Sequence, residues 1–154
     1  NFKDRMWITD TNFYKDNCGL KQTENANYIR YSFEFSYMEN DSYIPPHTDS
    51  ENKVISMIFY FADPNINWSN YDCGTSFFAP NNDKNNEFKS WESIHLEGQK
   101  LEKFYETYSE FYNSQFKPNK FIFFIKSDSS WHEVKPMKLP NGITRKAFIV
   151  NIFC

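Results

Sequence analysis

Histidine, arginine and cysteine are scarce in this chain of 154 residues, with three of each. The cysteines, at positions 18, 73 and 154, are odd in number, and no pair has C-x-x-C spacing. That argues against a disulfide framework and sets the expectation of reduced thiols in an intracellular, cytoplasmic setting. No surplus of basic residues exists: the net charge is −3, which speaks against a general electrostatic binder of nucleic acid. No apolar run approaches the roughly 18 residues of a membrane span, so no membrane partner is expected, and no signal peptide is visible in the sequence given. Repeats and linkers are absent too. Leucine and alanine are rare, and their place is taken by 17 Phe, 10 Tyr and 4 Trp. Aromatic strand formers in place of helix formers point to a β-rich fold. With 40% hydrophobic and 24% charged residues, residues 1–154 read as one soluble domain able to bury a core without metal or disulfide staples.

Along the chain, Tyr31, Phe33, Phe35 and Tyr37 alternate with Arg30, Ser32, Glu34 and Ser36. Alternation over this length predicts a half-buried strand with its aromatic face inward. Turn residues at 39–42 follow, and then Tyr43-Ile-Pro-Pro-His47-Thr-Asp49, which the two prolines keep extended. Residues 53–62 (KVISMIFYFA) and 121–126 (FIFFIK) are apolar on both faces and predict buried strands. Further strands are predicted at 74–78, 131–137 and 145–153. Residues 63–73 form a polar loop, and 79–100 are Asn-rich and irregular. Leu101, Phe104, Tyr105, Tyr108, Phe111 and Tyr112 recur at helical spacing, which predicts a helix over 98–114. Many strands with one late helix suggest an all-β double sheet or jelly roll.

His47 and Asp49 lie two residues apart on an extended segment, so both side chains leave the same face. One imidazole and one carboxylate can then share a cation. His132 follows 83 residues after Asp49, inside a predicted strand. Two histidines and one carboxylate make the facial triad of non-haem Fe(II) oxygenases, which leaves three positions open on the metal for a cosubstrate and O2. Arg145 opens the final strand thirteen residues after His132. A guanidinium there can hold a dicarboxylate through a bidentate pair.

These features together resemble the 2-oxoglutarate and Fe(II)-dependent oxygenase superfamily, on its prolyl-hydroxylase-like side. The resemblance is carried by YIPPHTDSENKVISMIFYF, CGTSFF, FKPNKFIFFIKSDSSWHEVKP and RKAFIVNIF, within about residues 28–153. It implies a mainly β fold, a double-stranded β-helix (jelly roll) with one or two peripheral helices and iron at its mouth. It also implies His47, Asp49 and His132 as iron ligands, and Arg145 as the partner of the distal carboxylate of 2-oxoglutarate. Tyr37 and Tyr60 match family positions that hydrogen-bond the cosubstrate. Asn151 shares strand parity with Arg145, Ala147 and Ile149; it is predicted to face inward, where a polar side chain needs a partner that the iron–cosubstrate cluster can supply, which makes it a candidate cofactor-binding residue. The implied activity is hydroxylation with Fe(II), 2-oxoglutarate and O2, ascorbate being an optional addition, and with release of succinate and CO2.

The chain departs from the family in three places. The spacing from His132 to Arg145 is long, the extra residues falling in the Leu139–Ile143 loop. Ala147 stands where some relatives carry a hydroxyl residue. Residues 79–118 are expected to be an insert outside the minimal barrel, a lid or substrate wall. Asp49 argues against a halogenating variant, which needs that carboxylate gone. Asn151 stands where nucleic-acid demethylases carry a second arginine, so nucleic acid is not the expected substrate. A small molecule or a peptidyl residue remains, and the alternative to an enzyme is a catalytically silent jelly-roll or cupin-like binding module. His95, within the irregular segment, and the buried-type Cys73 read as a solvated and a packing residue.

Overall fold

In the computed structural model, which describes residues 6–8, 29–82, 88 and 96–153, the first long strand already decides where the site will be. Strand β2 (Arg30–Met38) follows a short strand β1 (Met6–Ile8) that pairs with its outer edge. Its period-2 pattern is as predicted, but the orientation is the reverse. Ser32, Glu34, Ser36 and Met38 are buried, whereas Tyr31, Phe35 and Tyr37 are exposed. The physical reason is that the inner face at this end of the sheet lines a polar pocket rather than an apolar core. The aromatic face instead pairs laterally on the outside, with Phe148 against both Phe33 and Phe35. Alternation sets the period of a strand and leaves its sign to the surroundings.

The remaining strands are β3 (Ile44–His47), β4 (Lys53–Tyr60), β5 (Ser76–Pro80), β6 (Tyr108–Asn113), β7 (Phe121–Ile125), β8 (His132–Val134) and β9 (Arg145–Phe153). They form a five-stranded sheet in the order β1-β2-β9-β4-β7 and a four-stranded sheet in the order β3-β8-β5-β6. Every strand pairing is antiparallel. From β2 to β5 the chain passes alternately between the sheets, and from β6 to β9 it does so again. That winding makes a mainly β, jelly-roll-like sandwich. Pro45 and Pro46 are tolerated because β3 is an edge strand, open on one side, and because its register with β8 is irregular between Ile44 and His47. Strand β4 is less enclosed than its composition predicts, since Phe59 and the following Phe61 look outward and are exposed. Strand β7 likewise lies at a sheet edge, with Phe121, Phe123 and Ile125 exposed.

The inner face of the five-stranded sheet is graded by register. One cross-strand row runs Ser32, Asn151, Ser56 and Phe124; the next holds Glu34, Ile149, Ile58 and Ile122; a third holds Ser36, Ala147 and Tyr60. The apolar members of these rows join Met38, Trp68, Phe116, Val134 and Met137 in the main core. On the outer face of the smaller sheet, helix α1 (Gln99–Thr107) seats Phe104 against Phe78, Phe88, Tyr108 and Trp131. The helix ends seven residues earlier than its periodicity predicts. Tyr108 adopts extended backbone, and residues 108–113 become β6 by pairing with β5. Strand pairing there outweighs the local helical pattern, and aromatic residues suit either state. Part of the 79–118 segment is therefore a strand of the smaller sheet and no appendage to it. Cys73 is a free, fully buried thiol. His95, Cys18 and Cys154 lie outside the described residues. Among the described residues no helix is long and apolar enough to cross a membrane.

Candidate metal centre and its pocket

His47 and His132 face each other because β3 and β8 are neighbours and these two residues are direct register partners. Their ring centroids lie 4.2 Å apart. Asp49 follows β3 on the same side, and one donor atom from each of His47, Asp49 and His132 lies within 4.8 Å of the others. With metal bonds of about 2.0–2.2 Å, three donors on one face of an ion stand about 3 Å apart, so the three side chains close up on an ion when they bind it.

The two imidazoles are oriented alike. Each directs Nδ1 at the backbone carbonyl two residues earlier, Pro45 O for His47 and Ser130 O for His132, both at 2.9 Å. A carbonyl can only accept, so Nδ1 carries the proton and Nε2 keeps its lone pair. This carbonyl bond is a usual device for fixing the tautomer of a metal-binding histidine. Burial holds both imidazoles neutral. It lowers His47 to about 3, with the facing His132 adding to the effect and Asp49 opposing it. His132 is lowered for the same leading reason. Burial alone would raise Asp49, but His132, Lys53 and His47 together hold it below the usual carboxylate range. A neutral, neutral, anionic donor set fits a divalent first-row metal.

Asp49 is held on both oxygens. Lys53 Nζ reaches Oδ1 at 2.6 Å, and Ser56 Oγ donates to Oδ2 at 2.7 Å. The Asn151 side-chain amide lies 3.2 Å from the Ser56 hydroxyl and 3.3 Å from Ser32 Oγ. Asn151 thus faces inward and connects β9 to the carboxylate through one serine. These groups share one pocket, whose lining also includes Glu34, Ser36, Thr75, Phe124 and Arg145.

Arg145 is 2% exposed. Its Nε donates to Cys73 O at 2.7 Å, and its guanidinium stands over the rings of Tyr60 and Phe116 at 5.2 and 5.4 Å. The Cys73 thiol is pushed up to about 11 by burial, with Arg145 pulling the other way, so it stays protonated at neutral pH. Beneath the guanidinium, Tyr60 Oη bonds Thr75 Oγ1 at 2.8 Å and Ser114 Oγ at 2.6 Å. Tyr60 is thus buried behind Thr75 and Arg145, which line the pocket, and is not itself one of the lining residues. Tyr37 does not reach it: its ring is half exposed on the outer face of the sheet, 5.9 Å from Lys146 Nζ. Its register position places Ser36 inside instead, which corrects the expectation of a cosubstrate contact at Tyr37. Sequence reasoning did not single out Lys53, Ser56 or Thr75. The i,i+4 spacing of Asp49 and Lys53 was the one available signal, and a turn makes that spacing uninformative.

No protein-family model and no curated protein matches the sequence. Among solved structures, the chain is similar to a prolyl hydroxylase from Trichoplax adhaerens, in complex with a hypoxia inducible factor oxygen degradation domain peptide fragment, at 15% identity and a TM-score of 0.45. The likeness covers 82% of this chain and 44% of that one, so the chain spans less than half the length of that protein.

Proposed function

We propose that this chain is a 2-oxoglutarate- and Fe(II)-dependent dioxygenase that hydroxylates a small-molecule or peptidyl substrate. The observation that carries the reading is the matched pair of imidazoles, each with Nδ1 on a carbonyl and its lone pair left for a cation shared with Asp49. In this reading His47, Asp49 and His132 hold Fe(II). When bound, the iron and its cosubstrate supply the activation of O2 and the oxidising power, with succinate and CO2 as by-products. The protein binds, orients and shields. Ser56 and Asn151 fix the carboxylate plane of Asp49. Arg145, desolvated and held at Nε by Cys73 O and at Nη1 by Met38 Sδ, is the cation that pairs with a carboxylate of 2-oxoglutarate in this reading. Thr75 lines the same end, with the Tyr60 hydroxyl bonded behind it. Ile58, Ile149 and Phe124 keep the interior apolar and limit water at the reacting carbon. The single domain of 1–154 belongs to the same proposal, with the stretch around α1 as one wall of the molecule rather than a detachable lid.

The test uses the protein with Fe(II), 2-oxoglutarate and O2, measuring succinate. The expected result is slow succinate release by the parent and none by His132→Ala, with both proteins folded by circular dichroism. Absence of succinate from the parent under all metal conditions, with 2-oxoglutarate still bound, would identify a binding module and overturn the enzymatic reading.

A further inference from the structure

Asp49 is engaged more fully than a carboxylate reserved for an ion needs to be. Ser56 is buried in the sheet and holds Oδ2, which leaves Oδ1 for a cation. Lys53 already stands there at 2.6 Å, and the pair is sheltered, with side-chain exposures of 14% for Lys53 and 9% for Asp49. The lysine is presented by a tight turn: Lys53 N–H bonds Ser50 O at 3.0 Å as β4 begins.

We propose that Lys53 is a built-in counter-cation for Asp49 which a metal ion must displace, so that metal loading and release of the Lys53 ammonium into the pocket are one coupled event. The inference rests on the triad being the metal site. Its physical basis is direct. Two cations cannot share one carboxylate oxygen at contact distance without strong repulsion, which low-dielectric surroundings amplify. Thermodynamic linkage makes the effect reciprocal: the factor by which metal weakens the Lys53–Asp49 pair is the factor by which Lys53 weakens metal binding, commonly about 5- to 150-fold. In the metal-free protein the pair neutralises a buried carboxylate that would otherwise stand uncompensated. In the loaded protein the freed ammonium stands at the pocket, beside the ring of Phe153, from which Nζ is 5.9 Å away in the paired state.

The alternative is that Lys53 only orients Asp49 as an outer partner of a bound ion. The two readings predict opposite signs, since loss of an outer partner weakens metal affinity about 10–100-fold. The experiment titrates Mn(II) alone, following the free ion by electron paramagnetic resonance, into the parent, Lys53→Met, Lys53→Arg and His132→Ala. The expected result is about tenfold tighter binding by Lys53→Met, near-parental binding by Lys53→Arg, and loss of binding by His132→Ala. The metal-induced rise in Tm is expected to be larger for Lys53→Met than for the parent. Lys53→Gln gives the same readout should the methionine variant fail to fold. Equal or weaker binding by Lys53→Met, with the parent binding and His132→Ala not, overturns the counter-cation role and leaves the metal site standing. Failure of the parent and the lysine variants alike to bind Mn(II) overturns both.

Discussion

Arg145 shows how much of the site depends on single side chains placed by register. A guanidinium at 2% exposure is costly to bury unless its donors are used; Nε donates to Cys73 O and Nη1 to Met38 Sδ at 3.6 Å. Arg145→Lys keeps the charge but loses the planar fork. At roughly 1.5–3 kcal/mol for a charged hydrogen bond, and 1.4 kcal/mol per decade, 2-oxoglutarate affinity should fall by about one to two orders of magnitude. Metal affinity should be unchanged, as checked by Mn(II) titration beside a 2-oxoglutarate titration of the anaerobic Fe(II) protein. Tyr60→Phe removes the hydroxyl shared by Thr75 and Ser114 and should cost about 1–3 kcal/mol of stability, read from urea unfolding. The triad and Arg145 could be picked out in the sequence because histidine and arginine are rare and His47-x-Asp49 lies on an extended, proline-held segment. Lys53, Ser56 and Thr75 could not, because they are ordinary residues that acquire a role only where the folded chain sets them beside Asp49 or Arg145. Tyr37 was misplaced because alternation gives two faces without saying which is inside.

At the scale of the element, the strand boundaries were largely readable and the surroundings of each strand were not. Strand β9 spans the predicted 145–153, and β4 and β7 lie within their predicted ranges. Their outer faces are open all the same, since an apolar run on both faces is compatible with a central strand or with an edge. The stretch after Phe104 had a helical period and became half strand, because pairing with β5 satisfies its backbone better than another helical turn. That pairing depends on close approach at Gly74, just before β5. A Cβ there would meet Asn113 Oδ1 at 2.2 Å and the backbone N of Gln115 at 2.9 Å. Asn113 could rotate away only by giving up its bonds to Asp72 and Ser76, and the Gln115 backbone could not rotate at all. Gly74→Ala should therefore destabilise the fold by about 1–3 kcal/mol. The loss should appear as a lower urea midpoint, with faster amide exchange in β5 and β6 than in β2 and β9.

For the whole molecule, the burial that prepares the two histidines for a metal also sets its response to acid. In the unfolded chain an imidazole titrates near 6.5; in the folded chain His47 is lowered to about 3 and His132 is lowered as well, burial being the leading cause for each. Below about pH 6.5 the unfolded state therefore binds protons that the folded state refuses, and stability falls as pH falls. The stabilisation is fully present above about pH 6.5 and is lost progressively as the pH drops towards the folded values. Each histidine contributes a slope of at most about 1.4 kcal/mol per pH unit. Asp49, also lowered, extends the loss below about pH 4, where an unfolded aspartate would protonate. Metal affinity of the folded protein should behave differently. His47, lowered to about 3, has no proton to lose on binding, and His132 is shifted in the same direction, so Mn(II) affinity should change less between about pH 7 and pH 5.5 than at an exposed site. An exposed histidine pair would lose affinity steadily over the same range. Urea unfolding of the metal-free protein at several pH values, beside Mn(II) titration under the same conditions, separates the two quantities. A His132→Gln variant should show a shallower stability slope between about pH 6.5 and pH 5 than the parent. A parental stability that is flat over that interval, or a metal affinity that falls tenfold for each unit of pH, would mean that the imidazoles titrate as exposed groups and that burial does not hold them ready for an ion.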